Sequence, residues 1–105
     1  MTREYIIYMA PVSIDYTFMP FDFAMKHNWS MADYVPVWRG TIESETVNGA
    51  LEELFRIFNV DRPAEYCGRS LSMSDVVLLD KKPYYCDRFG WSECPNGEKE
   101  RRKSK

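Results

Sequence analysis

The chain has 105 residues, 45% of them hydrophobic and 29% charged, which describes one small globular domain and excludes a disordered chain. Residues 98–105 hold five basic groups and two acidic ones, so the whole-chain charge of −2 leaves −5 on residues 1–97. An acidic body is a poor primary ligand for a phosphate backbone, which calls for clustered Lys and Arg. The expected organisation is a single domain over 1–97 and a basic tail over 98–105.

Aromatic residues reach 15%; either they fill a β-rich core, or some lie at the surface, where exposed rings are a common ingredient of protein-binding faces. Cys67, Cys86 and Cys94 are too far apart for a Cys-x-x-Cys knuckle and too odd in number for a closed disulfide framework. No apolar run approaches the ~18 residues that span a bilayer, and no signal-peptide pattern follows Met1. A cytoplasmic protein without membrane contact is expected.

In chain order, Glu4–Met9 is a continuous run of β-formers, the pattern of a strand buried on both faces and ended by Ala10-Pro11. Pro20 opens a short helix with Phe21, Ala24 and Met25 as its stripe and Lys26-His27 in its last turn. Asn28–Asp33 reads as loop. Tyr34–Ile42 reads as a second strand, and Pro36, lacking a ladder donor near its start, points to a sheet edge or an entry point. Over Glu45–Phe58, Val47, Ala50, Leu51, Leu54, Phe55 and Phe58 recur at helical period. Gly49 lowers propensity there and suggests close packing on the sheet, and Asn59 is the expected stop.

Asp61–Gly68 has the grammar of one helical turn ended by a left-handed glycine. Ser74–Asp80 then reads as a buried strand, Lys81-Lys82-Pro83 as a reversal, and Tyr84–Phe89 as the partner strand, with Gly90 bending the chain before Trp91. These elements predict an α+β fold, a two-layer sandwich: a small mixed or antiparallel sheet with a C-terminal β-hairpin, packed on one face against one long and one short helix.

Two runs carry a resemblance: Tyr66-Cys-Gly-Arg-Ser-Leu-Ser-Met-Ser-Asp-Val-Val and Tyr84-Tyr-Cys-Asp-Arg-Phe-Gly-Trp, preceded by Phe58, Asn59 and Pro63. Together they resemble the YodL-like family, small bacterial modules with a Gly-Arg-Ser-Leu-Ser-x-Ser-Asp-Val run followed by Tyr-Tyr-x-Asp-x-Phe-Gly-Phe. Trp91 stands where the family more often has Phe. The match is close from Phe58 to Trp91 and loose before it. The resemblance implies a module frequent on conjugative elements, plasmids and phages, with no established activity or cofactor. Small proteins of such elements often bind and disable a host protein, as anti-restriction and anti-CRISPR inhibitors do.

No catalytic constellation emerges. His27 is the sole histidine, and its spacing to the cysteines supports no nucleophile pair. Convergence of Asp75, Asp80 and Asp87 would require close pairing of the hairpin. Gly68–Asp75 is the sharper candidate: Arg69 with hydroxyls at Ser70, Ser72 and Ser74 could hold an anion or backbone carbonyls. The alternative is that the serines satisfy a tight link while Arg69 bridges to Asp75 or Asp87. Tyr85, Phe89 and Trp91 with Arg88 could form a stacking platform for nucleic acid.

The expected function is non-enzymatic: a small inhibitor or adaptor that docks on a host protein through aromatic anchors at Trp29, Tyr34, Trp38 and Trp91. The alternative is a nucleic-acid-binding accessory protein that uses the tail and the stacking rings. No metal or cofactor is implied.

Overall fold

The fold, a computed structural model, describes residues 1–94; the expected basic tail lies outside the described residues. Five strands form: β1 (Thr2–Met9), β2 (Val35–Glu43), β3 (Val76–Leu79), β4 (Lys82–Asp87) and β5 (Gly90–Glu93). They make one sheet in the order β2-β1-β3-β4-β5, antiparallel at every pairing. Among the described residues two α-helices, α1 (Phe21–Lys26) and α2 (Val47–Val60), complete the α+β sandwich expected from the sequence, and Met31–Asp33 form a 3-10 turn within the stretch expected as loop. Among the described residues no helix is long and apolar enough to cross a membrane.

β1 lies between β2 and β3, but its burial alternates: Tyr5, Ile7 and Met9 are buried, Glu4 is exposed and Ile6 and Tyr8 are half-buried, so the strand expected to be buried on both faces is covered on the second face only near Tyr8. Tyr5, Ile7 and Met9 face α2 together with Val77 and Leu79, and meet Ala50, Leu51, Leu54 and Phe58. Full burial of a Leu or Phe side chain there contributes about 1.5–3 kcal/mol. Of the stripe on α2, Phe55 is the exception: it stays 38% exposed at the rim.

The side chain of Thr46 caps α2, accepting the Gly49 N–H at 2.9 Å. A Cβ on Gly49 would lie 2.8 Å from that Thr46 hydroxyl, so the glycine serves the cap and not a contact with the sheet. Nor does Asn59 stop the helix, which runs to Val60; its amide instead donates to the carbonyls of Phe55 and Leu71 and ties the chain beyond α2 back to it.

The opposite face of the sheet is covered at one end by residues 10–34. Val76 and Tyr85 pack there against Ala10, Tyr16, Ala24 and Tyr34. The short helix α1 therefore sits across the sheet from α2 and not beside it on one face, because Ala24 is buried in this cluster and the Phe21 ring packs on Tyr85 at 4.8 Å. Met25, expected in the apolar stripe, is exposed.

Three local readings are corrected. Pro63–Tyr66 is a single turn and not a helical one, and Gly68 is not left-handed. Gly68 is needed for closeness: a Cβ there would fall 2.5 Å from the Tyr66 hydroxyl. The first hairpin reverses at Asp80-Lys81, both with positive φ (50° and 72°), while Pro83 lies inside β4 opposite Leu78. Two left-handed residues give the twist a two-residue hairpin needs. Asp80 is held in that conformation by Glu4, which it bonds through both backbone and carboxylate, and by Arg3 at 2.9 Å. Finally, β4 ends at Asp87, Arg88-Phe89 make a second two-residue loop, and Gly90 at φ 109° opens β5, a strand the sequence reading missed. Pro36 does mark an edge strand, as expected.

Candidate functional site

The Gly68–Asp75 segment folds inward. Arg69 grips Asp75 with two nearly parallel bonds, Nη1 to Oδ2 at 2.6 Å and Nη2 to Oδ1 at 2.8 Å. The same guanidinium donates to the carbonyls of Ala10 (3.0 Å) and Ser70 (3.3 Å), so all four of its Nη donors are spent on the protein itself. Asp75 is fully buried and also accepts the N–H groups of Ser72 and Ala10. Burial pushes its carboxyl up, and the bonds from Arg69 and Ser72 pull it down. Four donors on one carboxylate are the reason it is tolerated inside.

The serines serve the same knot. Ser72 donates its hydroxyl to the Ser70 carbonyl, and the Ser70 hydroxyl takes a long bond from Arg62. Ser74, with φ 87°, is completely buried and fixed by three partners: its N–H to Cys86, its Oγ from the Phe18 N–H, and its carbonyl from the Tyr34 hydroxyl. A non-glycine residue persists there because its neighbours leave it no alternative. The link is structural in its contacts: it ties β1's end, the 10–34 segment and β3 together.

The predicted anchors disperse. Tyr85 is 0% exposed with its hydroxyl on the Met19 carbonyl, and Tyr34 is buried. Trp29 donates its indole N–H to Tyr34 and lies in the same cluster, half-buried. Trp38 is half-buried on the α2 face, edge-on to Phe58 and Tyr66. The stacking platform does not assemble: Tyr85 and Trp91 lie on opposite faces of the sheet. Of the ten candidates Arg88 alone is exposed; Trp91 is half-buried against the α2-face core.

They flank the tip of the β4–β5 hairpin. Phe89 occupies that tip, 92% exposed. Asp87 holds the tip in shape: its carboxylate accepts the N–H of Arg88 (2.8 Å), the Ser92 hydroxyl (2.6 Å) and the N–H of Phe21 at the start of α1 (3.1 Å). Desolvation pushes against its charge, and these bonds more than offset it, leaving the carboxyl below its usual range. Beside the tip, on the α2 face, a cleft of about 320 Å³ is walled by Phe55, Met73, Cys86 and Trp91, with Glu52 and Arg88 at the rim. Phe55 and Trp91 meet edge to face with centroids 6.5 Å apart. On the other face a shallower depression is lined by Phe21, Asp22, Asp87, Phe89 and Ser92.

Sequence reading assigned Phe55 to the core and gave Met73 and Asp87 no such role. The Asp-Arg-Phe-Gly spacing of a two-residue loop was the signal available for the tip.

Of the chemistry-bearing groups, His27, Cys86 and Cys94 are engaged in the fold, while Cys67 is exposed with no histidine beside it in the chain. His27 stacks on Phe23 at 3.9 Å with Nδ1 against the Phe23 carbonyl. Burial pushes the Cys86 and Cys94 thiols up to about 12, away from the thiolate a nucleophile needs. Asp75, Asp80 and Asp87 do not converge; each has its own partners, and no metal-binding cluster occurs among the described residues.

No curated protein and no solved structure matches the chain. A family model does, and it takes in the amino-terminal half to which the motif resemblance extended only loosely. It matches residues 5–96, and the chain belongs to the YodL-like domain family.

Proposed function

We propose that this chain is a non-catalytic protein-binding module: a small inhibitor or adaptor of a mobile element that docks on a host protein in the cytoplasm, in the manner of an anti-restriction or anti-CRISPR inhibitor. The observation that carries the reading is Phe89, an almost fully exposed aromatic on a hairpin tip braced by Asp87. A rigid aromatic beside an apolar cleft is the usual composition of an interface hot spot, because little side-chain entropy is lost on docking. The engagement of His27 and the raised thiols favours binding over catalysis. Three unpaired cysteines suit a reducing compartment. The acidic body favours a basic protein surface over nucleic acid.

The test is affinity capture from a host carrying restriction and CRISPR systems, with wild-type chain and Phe89→Ser in parallel. A partner enriched by wild type and lost with the variant, at unchanged melting temperature, supports the reading. Identical capture by both chains overturns it.

A further inference from the structure

We propose that the cleft on the α2 face of the β4–β5 hairpin takes Phe89 of a second copy of this chain, in a reciprocal two-fold dimer. The inference goes beyond the binding function proposed above and constrains it. The tip that meets a host protein is the tip that a second copy covers, so the two compete.

Tip and cleft are complementary in chemistry. The cleft, of about 320 Å³, is walled by Phe55, Met73, Cys86 and Trp91, which suits an apolar group. Its rim holds one carboxylate, Glu52, which is exposed and makes no ion pair among the described residues. The occupant that fits is an aromatic ring with a cation as its neighbour. Arg88-Phe89 is that pair. Phe89 is 92% exposed, so its ring has almost no contact with its own chain to give up on docking. The Arg88 guanidinium likewise makes no ion pair among the described residues. Glu52 and Arg88 share one rim without bonding each other, which leaves each open to an opposite charge from outside.

Position favours reciprocity. Arg88, Gly90 and Trp91 all line the cleft, so in each copy the tip is the cleft's neighbour. A two-fold axis that lays one tip over the facing cleft lays the second tip over the first cleft, and brings together two Arg88–Glu52 pairs. Once seated, the Phe89 ring meets the Phe55 and Trp91 rings, whose centroids are 6.5 Å apart, and the Met73 sulfur. The contact is small, and the −5 charge on residues 1–97 of each copy opposes it at long range. The dimer is therefore of the weak, transient class that a host protein can displace.

Sedimentation equilibrium of the full chain tests this. The wild-type chain should pass from monomer to dimer below about 1 mM, and Phe89→Ser should stay monomeric. Glu52→Arg and Arg88→Glu should each weaken the dimer roughly tenfold, because each sets like charges against one another across the axis. Both positions are exposed, so melting temperatures should not change. An equimolar mixture of the two variants should recover the dimer, since every facing pair is again of opposite sign. The double variant should recover it as well.

A wild-type chain that is still monomeric at about 1 mM would overturn the proposal. So would a dimer that Phe89→Ser leaves unchanged, a mixture no tighter than its components, or assembly that grows past two copies. A host protein lost with Phe89→Ser yet captured by a wild-type chain that never dimerises would leave the docking function standing and sink this inference alone.

Discussion

Arg69 and Asp75 face each other through two bonds of 2.6 and 2.8 Å, with the carboxylate wholly removed from solvent and the guanidinium capped by the ring of Phe18 at 5.1 Å. The pair joins the link before β3 to Ala10 at the end of β1, so it holds together parts of the chain far apart in sequence. Arg69→Ala leaves Asp75 buried without its counter-ion and should cost about 3 kcal/mol. Urea unfolding checks this: the midpoint should fall with the slope unchanged. Arg69→Lys should recover only part of the loss, because an ammonium cannot reproduce the paired geometry.

The apolar stripe of α2 divides into core and rim. Leu54 is completely buried, and Leu54→Ala should destabilise by about 3 kcal/mol. Leu54→Asp should abolish cooperative unfolding, since a lone charge has no partner there. Phe55→Ala should cost under ~1 kcal/mol, since its ring sits at the cleft's edge. Thermal melts of the three variants separate these outcomes.

Gly68 distinguishes space from backbone conformation. A Cβ there would lie 2.5 Å from the Tyr66 hydroxyl and 2.7 Å from the ring carbon bearing it, displacing a ring that packs on Phe58 and Trp38. Gly68→Ala should therefore destabilise by roughly 1–3 kcal/mol. Gly68→Asn, well tolerated where a left-handed residue is needed, should be no better. Differential scanning calorimetry decides between the two requirements.

Alkaline titration should unfold the chain. Burial raises Tyr16, Tyr34 and Tyr85 above the ordinary phenol value of 10.0, and Cys86 and Cys94 from 9.0 to about 12. Below those ordinary values both states are protonated and nothing is lost. Above them the unfolded chain ionises first, so stability falls as pH rises from about 9 upward, at most ~1.4 kcal/mol per group per pH unit. The ultraviolet absorbance of tyrosinate from these three rings should appear together with loss of the fold. Free titration at pH 10 in a folded chain would contradict their burial.

Much of the fold was written locally. The period of the α2 stripe, the β-forming run of β1 and the position of Pro36 each follow from a residue's own preference and its nearest neighbours, and each element formed where expected, although β1 buries one face and not both. Turn positions were less legible. Asp80-Lys81 carries no glycine, and Asp80 is held in its left-handed conformation by Glu4 and Arg3, seventy-odd positions away in sequence.

The site followed the same division. Sequence marked Gly68–Asp75 as rich in donors, but whether those donors face a ligand or one another depends on where Ala10, Phe18 and Tyr34 come to rest. Tertiary packing turned them inward, sank Tyr85 and left Phe89 outside. What the sequence by itself determined was periodicity, class and family, because these depend on short-range sterics and on residue pattern. Which polar groups are spent on the fold and which are left for a partner was decided only by the tertiary structure, because hydrogen-bond partners distant in the chain become neighbours only when the sheet closes.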